Sequence, residues 1–356
     1  MTATLRTAGL GERLRERQSA IAEALVERQF AERPELAARY GSIGRARCLQ
    51  DANYHLAYLA DAMNTETPAL FSSYVGWAKV MLGKRNIPVE DLVRHLELTR
   101  TVVGERLDGE AGALAVQYLS IALAQLSSWP AELPSYLNAH APHAALAADY
   151  LAALLKAERH TASRLVLDAV AAGVPVRDVY LHVFQASQHE VGRLWQTNQI
   201  SVGQEHYCTA ATQLIMSQLY PQVFASEKHG GTMVGACVAG DLHEIGIRMV
   251  TDFFEMAGWN TYFLGASTPA QAVVDSVVER GARVLCISAT LTSHLGAVGD
   301  LIDRVRAHPA CADVTILVGG YPFILAPELW KKVGADGCAT NAQSALALVE
   351  HLAPQP

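Results

Sequence analysis

The chain has 356 residues, 51% hydrophobic and 18% charged, which sets aside a disordered chain and leads us to expect two or three domains with substantial cores. A formal net charge of −7 without a basic run argues against a nucleic-acid module, because such modules gather Lys and Arg on one face for phosphate. Cys48, Cys208, Cys237, Cys286, Cys311 and Cys338 form no CxxC pair and read as reduced thiols. With no leader-like start and no run of eighteen apolar residues, a cytoplasmic protein outside the membrane is expected.

From Glu12 to about Leu126 the pattern is helical. In RCLQDANYHLAYLADAM (residues 47–63), Leu49, Ala52, Leu56, Leu59 and Met63 recur at three- and four-residue spacing and make one apolar face. Pro68, Pro88, Gly104 and the Asp108-Gly109 pair punctuate further helices, giving an expected helical domain over residues 1–130. SSWPAELPSYLNAHAP (residues 127–142), with three prolines, reads as the linker. A second helical set runs from His143 to Tyr220, with Pro175 at a helix start and Pro221 at its close; its length suits a four-helix bundle over residues 143–221.

After ASEKHGG the rhythm changes. TMVGACVAG, NTYFLG, ARVLCISAT and VTILVGG are short apolar runs separated by amphipathic stretches, which predicts a parallel sheet covered on both faces over residues 230–356. The fold class expected is therefore α + α/β: an N-terminal helical domain, a four-helix bundle cap and a C-terminal Rossmann-like parallel-sheet domain. The ligand site of such a sheet lies at the carboxyl ends of its strands.

Asp241 and His243 stand at such an end, followed by Gly246. A histidine whose second ring nitrogen donates to a carboxylate is how proteins orient a metal-bound imidazole. The same residues also fit a helix-capping aspartate and an ordinary loop histidine. The spacing Asp241-Leu242-His243-Glu244-Ile245-Gly246 resembles the DxHxxG signature of the cobalamin-binding fold shared by methionine synthase, corrinoid methyltransferase proteins and adenosylcobalamin mutases. Ser288 in SAT and the Gly319-Gly320 pair ending VTILVGG stand where that family places a serine and a glycine pair, while Thr290 stands where the family has leucine. The resemblance implies His243 as lower ligand to cobalt, Asp241 as its partner, and a nucleotide tail passing Gly246, Ser288, Thr290, Gly319 and Gly320. A nicotinamide site is disfavoured, because no GxGxxG follows the first strand.

Within the bundle, Trp195 is separated by nine residues from Glu205-His206. This resembles the Wx9EH pattern of CarH-type photoreceptors and implies a cap over the upper ligand of adenosylcobalamin. A core tryptophan beside a solvated Glu-His pair is the other reading. Gln196 replaces the histidine that follows that tryptophan in many such proteins, leaving His206, His189 or water as an upper cobalt ligand. The winged-helix DNA-binding domain of those repressors is not seen in the sequence. NYHLAYLADAM together with LFSSYVGWAKVML resembles the N-terminal module of photocobilins, which also hold biliverdin; it implies a bilin slot around Tyr54, His55, Tyr58, Tyr74 and Trp77. An ordinary helical core is the alternative. Cys48 could attach such a ligand, although a buried helical cysteine reads more simply.

The function expected from these resemblances is a light sensor, not an enzyme, that binds adenosylcobalamin and biliverdin. It would change its homo-oligomeric state on photolysis and signal to a downstream protein. The alternative is a corrinoid methyl carrier of a methyltransferase system.

Overall fold

A computed structural model describes residues 9–41, 43–228 and 231–352. The chain divides into two units between Glu132 and Leu133. Among its described residues the first unit has six helices: α1 (Leu10–Glu32), α2 (Glu35–Tyr40), α3 (Gly44–Asn64), α4 (Pro68–Gly83), α5 (Val89–Arg106) and α6 (Gly109–Gln125). Pro68 opens α4, where a missing N–H costs nothing, and Pro88 precedes α5. Gly104 does not end a helix; it lies inside α5, whose buried stripe Leu92, Leu96, Leu98, Val102 and Val103 outweighs one flexible residue. Leu14, Leu25, Leu56, Leu59, Phe71, Leu96 and Leu119 are fully buried in this core.

In the second unit, helices α7 (Ala144–Leu155) and α8 (Arg159–Ala171) are followed by the short α9 (Val176–Asp178). From there the helix runs through a π-turn at Val179–Phe184 into α10 (Gln185–Gln196), and α11 (Val202–Gln218) and the short α12 (Tyr220–Val223) complete the bundle. Helix α11 starts at a reciprocal cap: Ser201 Oγ accepts from the Gln204 amide, and the Gln204 side chain accepts from the Ser201 amide. Tyr150, Tyr180, Val183, Phe184, Cys208 and Ile215 are fully buried between these helices.

The sheet strands are β1 (Thr232–Val238), β2 (Asn260–Thr268), β3 (Val284–Ser288), β4 (Thr315–Gly319) and β5 (Gly337–Ala339). They pair in parallel in the order β2-β1-β3-β4-β5. Helices α13 (Ile245–Glu255), α14 (Ala270–Glu279), α15 (Leu295–Ala307), α16 (Tyr321–Leu325), α17 (Leu329–Val333) and α18 (Ala342–Leu352) connect and cover them. Strands β1, β3 and β4 are the apolar runs foreseen, and β1 and β3 are buried almost throughout. The edge strand β2 is instead half-exposed along most of its length, and β5, only three residues long, carries too little pattern to be read from sequence. The chain leaves β1 for β2 on one side and returns to β3 on the other, so the strand order reverses between β1 and β3. A crevice opens at the carboxyl ends of those two strands for this reason.

The bundle rests on α13. Met249 and Phe253 of that helix join the bundle core, and the Tyr180 hydroxyl donates to Asp252 Oδ2 at 2.8 Å. Burial pushes the Asp252 carboxyl up, and the bonds and charges that pull it back, from Tyr180 and Arg248, leave it raised from its ordinary 3.8 to about 6. Because the folded protein holds this proton more tightly than the unfolded chain, stability falls as pH rises from about 4 through about 6. A shift of this size corresponds to about 3 kcal/mol. Denaturant titrations should therefore show Asp252→Asn gaining stability relative to the parent between pH 4 and pH 7. A difference that stays level across that window contradicts the assignment.

Candidate functional site

The crevice is organised by one carboxylate. Asp241, three residues beyond β1, is 0% exposed. Its Oδ1 accepts from the His243 amide at 2.9 Å and from His243 Nδ1 at 2.8 Å, and its Oδ2 accepts from the Thr290 amide beyond β3. Burial alone would raise this carboxyl, but the His243 ring, the His243 amide and the Thr290 amide together hold it at about 2. The hydrogen bond to Asp241 in turn raises the pKa of the His243 ring. Asp241 does not cap a helix: α13 begins at Ile245 with Glu244 at its cap position.

With Nδ1 committed to Asp241, Nε2 is the nitrogen of His243 left for a ligand, on a side chain 56% exposed. Among the described residues no group of three or more His, Cys, Asp or Glu side chains is placed to hold a metal ion. One oriented imidazole is therefore the wrong donor set for a bare ion. It is the right one for a metal that arrives with its other ligands in a macrocycle.

The motif residues meet at this edge. Cys237, Ser288 and Gly319 stand side by side across β1, β3 and β4. Gly320 follows with φ +107°, and a Cβ there would lie 2.0 Å from the Ala289 carbonyl oxygen, so only glycine lets β4 turn away so close to β3. Gly246 is exposed, with open space where a side chain would stand. Thr290 contributes its backbone amide to Asp241, a role that leaves its side-chain identity free. Ser288 is buried, and its hydroxyl has no hydrogen-bond partner among the described residues.

On the bundle side Trp195 is half-buried in the last turn of α10. Glu205, in the first turn of α11, is paired through Oε2 with Nδ1 of the exposed His206, and its Oε1 accepts from Thr209 at 3.2 Å. Glu205 also helps to raise the pKa of the His243 ring electrostatically. Two residues not singled out from sequence join bundle and loop: Gln213 Nε2 donates to Glu244 Oε1 at 2.6 Å, and Glu244 Oε2 accepts from the Ala266 amide at 2.9 Å. The position of Glu244 beside His243 was the available signal.

In the first unit, Tyr58 and Tyr74 stack on each other with ring centroids 3.9 Å apart, so one face of each ring is spent on the other. Tyr74 also bonds His55 Nδ1 at 2.9 Å and lies 6.2 Å from Trp77, whereas Tyr54 is half-exposed and accepts from Gln50. Of these five residues His55 alone lines a cavity of about 150 Å³, together with Gln29, Arg47, Cys48, Asp51, Asp91 and His95. Burial pushes both imidazoles down, His95 to about 4. His95 Nδ1 pairs with Gln29 Oε1 at 2.9 Å, and its buried Nε2 has no partner. Asp91 accepts from Arg33, Arg39 and Tyr40, and these bonds outweigh burial to lower its pKa. Burial raises the Cys48 thiol, which makes it a poor nucleophile. His95, Gln29 and Asp91 lie on helices other than that of His55, so no local motif marked them.

A parallel sheet with a reversal crevice, an aspartate-held histidine on its lip and a helical bundle packed on the sheet suit a protein that binds a metal-bearing macrocycle. Residues 231–350 match the B12 binding domain family, residues 146–220 match a second B12 binding domain family, and residues 3–126 match the phycobilisome protein family. The chain is 29% identical over 192 residues to dimethylamine corrinoid protein 3 of Methanosarcina acetivorans, covering 52% of this chain and 89% of that one. It is 30% identical over 173 residues to dimethylamine corrinoid protein 1 of the same organism, covering 47% of this chain and 78% of that one. The solved structure of the Methanosarcina barkeri monomethylamine corrinoid protein superposes with a TM-score of 0.54 at 24% identity over 59% of this chain and all of that one, a likeness of fold. The chain belongs to the family of B12-binding corrinoid proteins. These relatives overturn the light-sensor function expected from Trp195 and Glu205-His206.

Among the described residues no helix is long and apolar enough to cross a membrane. Asp241→Asn should weaken corrinoid binding by about 10- to 100-fold, the usual cost of losing the partner of a metal-bound histidine, and His243→Ala should weaken it more. Calorimetric titration of the apo-protein measures both, and equal affinity in all three proteins removes His243 from the site.

Proposed function

We propose that this chain is a corrinoid-carrying protein, without catalytic groups of its own, that conveys a methyl group between partner methyltransferases. The observation that carries the proposal is the match to methylamine corrinoid proteins along 89% of the length of one of them, joined to the Asp241–His243 pair. A corrinoid supplies a cobalt that accepts and releases a methyl group at its upper face. The chain's own residues hold and orient it. Asp241 keeps the proton on His243 Nδ1, so that Nε2 carries the lone pair that would hold the cobalt. Gly246 leaves open space at the carboxyl edge, where the lower substituent of the ligand would need room, while Gly319 and Gly320 let β4 leave close beside the neighbouring backbone.

A methyl carrier must offer its upper face to other proteins, so it has no use for a tight grip on the upper substituent. Parallel titrations with methylcobalamin and adenosylcobalamin separate the two forms of the cofactor. The proposal requires affinities equal within about threefold, well under the 1.4 kcal/mol that a tenfold preference represents. A preference for adenosylcobalamin of about tenfold or more that disappears in Trp195→Ala overturns it.

We also infer that the first unit takes a linear tetrapyrrole of the biliverdin class. The likeness of residues 3–126 to phycobilisome proteins supports this, and so does the cavity at His55 and His95. Because His95 Nδ1 donates to Gln29 Oε1, its buried Nε2 is an acceptor without a donor, and a pyrrole N–H is such a donor. At about 150 Å³ the cavity is smaller than pockets that enclose a whole ligand of this size, so one ring enters and the rest lies outside, with Arg47 near for a propionate. Absorption titrations with biliverdin should give a sharpened red band in the parent protein and a loss of affinity in His95→Phe, with corrinoid binding unchanged. Equal titrations of the two proteins, or no binding by either, contradict the inference.

A further inference from the structure

Asp241 has one more neighbour. His294 ends the 3-10 turn Thr292–His294 beyond β3, and its Nδ1 lies 3.4 Å from Asp241 Oδ2. That distance is at the outer limit of a hydrogen bond, and the nitrogen is buried with no hydrogen-bond partner. The side chain is only 15% exposed, so water is a poor substitute. The ring is admitted by the absence of a side chain at Gly240, which has φ +89° and whose Cβ would stand 3.4 Å from His294 Nε2. Buried ring nitrogens without partners are uncommon, and this one faces a carboxylate oxygen whose one bonded donor among the described residues is the Thr290 amide. Ser288 makes no bond to Asp241.

We propose that His294 is a positioning residue for the lower ligand: its Nδ1–H closes on Asp241 Oδ2 when a corrinoid occupies the crevice, and so fixes the plane of the carboxylate that aims the His243 ring. Without it, Oδ1 has two donors, both from His243, and Oδ2 has one, so the carboxylate can swing about the bond to Thr290 and carry the imidazole with it. With it, each oxygen has two donors and each strand flanking the reversal point contributes two of the four. The inference rests on the corrinoid reading of this site.

The test uses the full chain labelled with ¹⁵N-histidine and titrated with cobalamin, which is then reduced to its paramagnetic cobalt(II) form. An axial ¹⁵N-imidazole splits each cobalt line into two, whereas the ligand's own unlabelled base splits it into three. The parent protein is expected to show two-line splitting. His294→Ala should bind about tenfold or more weakly, with the two-line signature diminished, and His294→Asn, which retains a donor, should recover most of both. Affinity and splitting in His294→Ala that equal the parent's overturn the inference, as does an Asn variant no better than Ala, which marks the ring as packing alone. If melting of the apo-protein shows that Ala does not fold, His294→Leu against His294→Asn makes the same comparison. A parent protein that binds cobalamin with three-line splitting, or does not bind it, overturns the assignment of His243 and this inference with it. A parent with two-line splitting and an unaffected alanine variant overturns this inference alone.

Discussion

A buried carboxylate that stays ionised is the constraint on which the crevice depends. Asp241 is withdrawn from water, and an unpaired charge in that position would be neutralised by a proton. It keeps its charge because the chain ends of β1 and β3 deliver amides and an imidazole to it. One of those donors, the Thr290 amide, lies 49 residues from Asp241 in sequence, so the carboxylate is correctly dressed only when the two strands are already neighbours. The reversal of strand order creates that adjacency, and Gly320 keeps the next strand's exit tight against the same place. Fold and site are thus one arrangement seen at two scales.

The bundle is tied to this edge by polar contacts at two heights. Deep in the interface, Tyr180 bonds Asp252 amid Phe184, Phe253 and Met249. Nearer the crevice, Gln213 reaches Glu244, which also accepts from the Ala266 amide of β2. The deep contact is surrounded by apolar side chains that resist opening, whereas the upper one is a short chain of half-buried polar groups with water at hand. Separation of the bundle from the sheet would begin at the upper contact and hinge on the lower one.

Much of this was legible in the sequence. The change from helical to strand rhythm after residue 230 is plain because parallel strands buried on both faces consist of unbroken apolar residues, and the Asp-x-His-x-x-Gly spacing marks the one loop where chemistry needs a fixed order. What escaped had no local signature. His294 comes into play through the third dimension, from a turn six residues past Ser288, and His95 meets His55 across two helices 40 residues apart in sequence. The aromatic pattern of the first unit is ambiguous for a physical reason. Tyr58 and Tyr74 are what a flat ligand would want, and they are equally what another tyrosine wants. Trp195 and Glu205-His206 suggested a light sensor, which the corrinoid relatives overturn, since spacing records which residues share an end of the bundle but not what that end serves.

The π-turn at Val179–Phe184 bears on how such a molecule diverges. Each residue of a helix advances the chain by about 100°, so one inserted residue turns everything that follows through more than a quarter circle. Tyr180, inside the wide turn, stays anchored on Asp252, while Gln188 and Trp195, seven residues apart on one face of α10, lie downstream of it. A single deletion there would re-aim that whole face over the crevice while the anchor and the sheet beneath remained as they are. The upper surface of the site can be redrawn in one mutational step, independently of the lower ligand.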